Sequence, residues 1–149
     1  MEQENSPFLC IRTSPETINY NCIAWAMEED FRWWWPDAMG NYYWPEDVPR
    51  KEVLDNFIRA FSKFGYEKCS NGQLEVNYKK VAIYINDKNV PSHAARQLPN
   101  GRWTSKLGPS FDVEHDFING WNDLVDIVGK YSFNTLPYGK LGAILRKKI

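Results

Sequence analysis

Val81-Ala82-Ile83-Tyr84-Ile85-Asn86-Asp87-Lys88-Asn89-Val90-Pro91-Ser92-His93-Ala94-Ala95-Arg96-Gln97-Leu98 is the stretch on which the fold turns. Its first five residues are apolar and rich in β-formers, and they run into a cluster of turn residues at 86–89, so a strand is expected to end there. Residues 92–98 read as a second strand. Pro99-Asn100-Gly101 follows, and Asn-Gly between extended runs is the strongest short hairpin signal, which makes 102–107 the returning strand. The middle of the chain is therefore expected to be antiparallel sheet.

Working outward, Asn21 precedes Cys22-Ile23-Ala24-Trp25-Ala26-Met27-Glu28-Glu29, a run of good helix formers behind a preferred N-cap, and predicts a helix over 22–30. Val53, Leu54, Phe57, Ile58, Phe61 and Phe64 fall at helical spacing between Pro49 and Gly65, a second and clearer helix with Gly65 as its C-cap. A short strand is expected at 65–69. Residues 112–115 lead into 117–128, where Ile118, Trp121, Leu124, Val125 and Val128 suit a last helix ended by Gly129. Residues 140–145 predict the final strand, and the first twenty, broken by Ser6-Pro7 and Ser14-Pro15, an extended lead-in. The expected class is α+β: one domain over 1–149, N-terminal helices packed on a mostly antiparallel sheet.

Composition narrows the function classes. Lys and Arg number 18 against 19 Asp and Glu, a net charge of -1, which speaks against a nucleic-acid binder. No apolar run approaches the ~20 residues that a membrane helix needs, so no membrane partner is expected. Met1-Glu2-Gln3-Glu4-Asn5 is polar and acidic, unlike a secretory signal, and the expectation is a soluble cytoplasmic protein. Three cysteines, Cys10, Cys22 and Cys69, form no CxxC pair, which argues against a disulfide scaffold or a zinc ribbon. Neither a metal nor any other cofactor is expected. Aromatic residues are unusually abundant at 15%, with five of the seven Trp between Trp25 and Trp44. Residues 31–49 combine them with prolines and a glycine, which predicts an irregular aromatic loop packed down over the domain.

Cys22 is the leading chemical candidate. A thiol in the first turn of a helix meets the positive end of the dipole, which favours the thiolate. A nucleophilic cysteine needs a base, and His93, on a strand beside the small Ala94 and Ala95, leaves room for a helix to approach. His115, between Glu114 and Asp116, reads as a solvated turn whose carboxylates would raise its pKa. It competes with Asp112 as the group that orients the base. Gln97 is a candidate oxyanion donor, and Arg96 and Lys106 are candidates to receive a substrate carboxylate. Cys10 and Cys69 are assigned to packing.

The feature order resembles the papain-like cysteine peptidases: a cysteine opening an N-terminal helix, then a sheet carrying a histidine. Residues 79–94 look like the paired strands of the NlpC-type cell-wall peptidases. In that pattern the base opens the first strand, where this chain has Lys79 and Lys80, and His93 matches the later histidine. More narrowly, Asn21-Cys22-Ile23-Ala24-Trp25-Ala26 with Trp33-Trp34-Trp35-Pro36, Lys80-Val81-Ala82-Ile83-Tyr84, His93-Ala94-Ala95-Arg96-Gln97-Leu98, and Trp103-Thr104-Ser105-Lys106-Leu107-Gly108 with Glu114-His115 match a family of uncharacterised, mostly bacterial proteins. The resemblance implies a papain-like fold; the thiol at a helix start and the strand histidine in compatible chain order lead to the expectation of a thiol-dependent hydrolase or acyltransferase acting on an amide or peptide-like bond through Cys22 and His93. The alternative is a non-catalytic binding module that grips a peptide, glycan or protein partner with the loop 33–44, Trp34 included, together with Arg96 and Lys106.

Overall fold

The computed structural model describes residues 9–121, 125–128, 131–133 and 138–149. Nine strands form one sheet: β1 (Leu9–Arg12), β2 (Glu67–Lys68), β3 (Tyr78–Ile85), β4 (Pro91–Gln97), β5 (Trp103–Lys106), β6 (Asp112–His115), β7 (Val125–Val128), β8 (Tyr131–Phe133) and β9 (Lys140–Lys148). Their order is β2-β9-β3-β4-β5-β6-β1-β7-β8, antiparallel except where β7 runs parallel to β1. Among the described residues two helices accompany the sheet, α1 (Cys22–Ala26) and α2 (Leu54–Ser62).

This corrects the expected class. The molecule is a mostly antiparallel β-sheet protein with two short helices, not a papain-like α+β domain. The largest departure is at 117–128, where a helix was expected. Ile118 and Trp121 are buried on irregular backbone, and Val125–Val128 instead extends along β1. A short apolar run suits either a helix or a buried strand, and the open edge of β1 supplies the ladder that decides for the strand. Leu124 and Gly129 lie outside the described residues.

The middle of the chain folds as its sequence reads. Gly101 takes φ +89 at the hairpin, where Leu98 N–H donates to Arg102 C=O at 2.7 Å. The register of the central strands then sorts side chains onto two faces, because successive residues of a strand point opposite ways. Val81, Ile83, Ala94 and Leu145 join α1, α2, Trp34 and Trp44 in one core. Ala82, Tyr84, Ala95, Trp103 and Val113 join Ile118 and Trp121 in another on the opposite face. The aromatic loop lacks regular elements, as expected, and is fixed by its own rings. Trp34 and Trp44 are buried, Trp34 meets Tyr43 edge-on at 4.6 Å, and Trp44 meets Phe57 at 5.0 Å.

Candidate functional site

Asn21 is the residue that builds the site. Its side-chain oxygen accepts the Ala24 N–H at 3.2 Å, capping α1, and the Trp34 N–H at 3.1 Å. Its amide donates to Trp34 C=O at 2.8 Å. One side chain thus starts the helix and anchors the aromatic loop against it. The sequence around Asn21 indicates a cap alone. Nothing in its neighbours announces the bond to a residue thirteen positions on.

Cys22 opens α1 as expected, with its sulfur against the backbone N–H of Ala94. Ala94 and Ala24 are both fully buried, and their small size lets helix and strand come this close. The electrostatic expectation fails. Burial pushes the thiol up to about 11, and the nearby N–H groups and Lys106 offset only part of that. A single turn of helix has little dipole to set against desolvation.

His93 does not reach Cys22. It pairs with Tyr84 in the register and projects with Ala95 from the face opposite α1, whereas its neighbour Ala94 faces the helix. The imidazole stacks on Tyr138 at 4.0 Å and meets Trp121 edge-on at 4.9 Å. Among the described residues neither ring nitrogen has a hydrogen-bond partner, sulfur included. Burial drives its pKa well below the ordinary value, with His115 adding to the effect.

His115 is no solvated turn. It is fully buried on β6, with Nε2 2.8 Å from Ser105 Oγ and Nδ1 2.6 Å from Asp116 C=O. Burial lowers its pKa to about 4, the reverse of the expected rise, because desolvation outweighs the flanking carboxylates. Gln97 shares this face and spends its amide on Gly72 C=O at 2.8 Å, so it is no oxyanion donor to Cys22. Lys80 is buried here too, donating to Asn71 C=O at 2.9 Å and paired with Glu75 at 3.3 Å.

The candidates on the face of α1 are Cys22, Arg96, Lys106, Asp112 and Trp34. Lys106 is fully buried, donating to the Thr17 and Gly108 carbonyls at 2.7 Å each, with its ammonium 4.9 Å above the Tyr20 ring. Tyr20 O–H donates to Asp112 at 2.8 Å. Burial raises the Asp112 pKa and lowers that of Lys106, and pushes Tyr20, aided by Asp112, up to about 12. This is a buried framework under the helix, in which Lys106 presents no exposed surface to a substrate carboxylate. Trp34 is likewise core, at 0% exposure. Cys69 is half-exposed rather than packed, its thiol donating to Asn71 C=O at 3.6 Å; the Cys10 side chain lies outside the described residues.

Over the start of α1 lies the concavity that the aromatic loop makes. A cavity of about 260 Å³ has Asn21, Cys22 and Ser92 on its floor, with Trp33, Trp35, Tyr42 and Tyr138 around it. Trp33 stacks on Tyr42 at 5.6 Å and donates its indole N–H to Ile18 C=O at 2.6 Å; Trp35 meets Phe57 edge-on and donates to Glu52 at 3.1 Å. Each wall ring is therefore held in place before anything binds. Three consecutive tryptophans announced aromatic density, but only the folded loop shows that the middle one faces the core and the outer two the cavity.

Fold and cavity together define a mostly antiparallel sheet protein with an aromatic-walled pocket above one face. The chain belongs to the family described as a domain of unknown function (DUF7689), whose model matches residues 11–143. No curated protein and no solved structure matches it. Among the described residues no helix is long and apolar enough to cross a membrane.

Proposed function

We propose that this chain is a binding module that takes an apolar or aromatic group of a peptide or protein partner into the pocket beneath Trp33, Trp35 and Tyr42. The observation that carries the reading is a concave site of about 260 Å³ walled by rings already fixed by stacking and indole hydrogen bonds. Rigid aromatic walls lose little entropy on binding and gain apolar burial, which is how hot-spot residues act. The thiol on the floor serves as a neutral, polarisable contact: burial keeps it protonated, and no imidazole bonds it.

Titration with acetyl-tryptophan amide and acetyl-leucine amide, followed by the indole N–H resonances, tests this. Saturable shifts at Trp33 and Trp35 are expected, weakened by Tyr42→Ala and retained in Cys22→Ser. Absence of saturable shifts in the wild-type protein overturns the reading. So does Cys22-dependent turnover of an activated ester such as p-nitrophenyl acetate, which would return the chain to thiol chemistry.

A further inference from the structure

At the other end of α1, beyond the reach of the aromatic pocket, a second cleft of about 370 Å³ opens between Glu28, Lys79, Arg96 and the apolar side chains of Leu74 and Leu98. Arg96 is its floor. The guanidinium sits over the Trp25 ring with its carbon 4.3 Å from the centroid, and Trp25 in turn stacks on Tyr20 at 5.3 Å. Among the described residues its one hydrogen bond is from Nη1 to Trp25 C=O, at 2.6 Å. The remaining N–H groups of the fork are unspent, although burial is costly enough to lower the pKa of this group.

The charges around that fork are of both signs. Glu28 is the one acidic side chain lining the cleft among the described residues, with Ile149, the last residue of the sequence, beside it; Lys79 binds Glu28 at 2.8 Å, and the buried Asp112 acts on Arg96 from within. The Glu28 carboxyl is held below the ordinary range first by the Lys79 bond, then by the fields of Arg96 and Lys147. Glu28 also adopts φ +66, a left-handed conformation costly for a residue with a Cβ, and it is this turn after α1 that carries its carboxylate to Lys79.

We propose that this cleft binds a small oxyanion, the carboxylate or phosphate group of a ligand, on the fork of Arg96 with Lys79 beside it, while the apolar part of the ligand lies against Leu74 and Leu98. A guanidinium seated over an indole ring, with free N–H groups, presents the bidentate geometry that planar carboxylates and phosphate oxygens match, and a second cation completes the charge. The site stands independently of the aromatic pocket.

Inorganic phosphate and then acetate, each titrated at constant ionic strength set with sodium chloride, are the probes, read at the Trp25 indole and Arg96 Nε–H resonances. Saturable shifts with either probe are expected, the tighter one identifying the oxyanion. Glu28→Gln should tighten binding several-fold by removing the competing carboxylate; Lys147→Ala should loosen it, and Arg96→Gln should abolish it. Because Arg96 packs on Trp25, its replacement can also unfold the chain, and the opposite responses of Glu28→Gln and Lys147→Ala, both near the surface, then decide. Shifts that stay linear and match those of chloride overturn the proposal, as does a Glu28→Gln variant that binds no more tightly.

Discussion

The thiol of Cys22 and the imidazole of His93 are the two groups on which sequence reasoning rests most, and both are governed by desolvation. A sulfur buried at the start of α1 with its pKa pushed up to about 11 is a poor nucleophile at neutral pH. Alkylation by iodoacetamide should therefore label the half-exposed Cys69 first and Cys22 only as pH climbs well past ordinary thiol values; mass mapping of the labelled peptides checks the order. His93 sits among Tyr84, Trp121 and Tyr138 with no partner for either nitrogen among the described residues. Leaving such a group unsatisfied costs about 1–3 kcal/mol, so His93→Phe should be neutral or stabilising in urea denaturation at pH 7.5. A loss of stability would reveal a hydrogen bond that the imidazole makes. Trp34 behaves in the opposite way. Its ring packs against Tyr43 and Phe64, its N–H donates to Glu29 at 2.7 Å, and Trp34→Ala should cost about 3–5 kcal/mol in the same assay. That variant tests the core, and the half-buried Trp33 and the exposed Tyr42 are the ones to change for binding.

Among the elements, α1 is too short to persist by itself, since isolated helices need more than a dozen residues. It exists because Asn21 caps it and because Cys22, Ile23, Ala24 and Ala26 are buried. Asn21→Ala removes the cap and both bonds to Trp34, so a loss of about 2–3 kcal/mol is expected, with the Trp33 and Trp35 indole resonances broadening together as the loop detaches. Intact indole signals would show that the loop is held by its rings alone. The entry to β9 depends on Gly139. It takes φ +80, and a Cβ there would stand 1.9 Å from Ile85 C=O. Gly139→Ala should thus cost about 3 kcal/mol, displacing the backbone where Trp121 N–H meets Gly139 C=O. Gly40, with nothing within 4 Å of its would-be Cβ, is the matched control for positive φ without crowding.

For the whole molecule, the two histidines make one face of the sheet acid-sensitive. His115 has its pKa at about 4 in the folded chain and His93 lies well below its ordinary value, whereas both titrate near ~6.5 when unfolded. The unfolded chain then binds more protons, so their contribution is complete above about pH 6.5 and declines as pH falls towards the folded values. Each histidine should remove about 1.4 kcal/mol per pH unit across that window. Melting temperatures at pH 7.5, 6 and 5 should fall steeply, with His93→Phe reducing the slope; a flat profile would mean that both rings charge without leaving the fold.

What the sequence by itself determined was local. The Asn21 cap, the strand and turn chemistry from Val81 to Gly101, the apolar stripe of α2 and the irregular aromatic loop each follow from residues within a few positions of one another, because caps, turns and periodicity are short-range physics. Tertiary structure decided the rest. It made 125–128 a strand beside β1, gave His93 and Cys22 to opposite faces by a register that one residue's shift would invert, and buried the ionisable groups whose pKa values then moved against their sequence neighbours. Pairing partners and solvent exclusion are properties of distant segments brought together, and no window of sequence contains them.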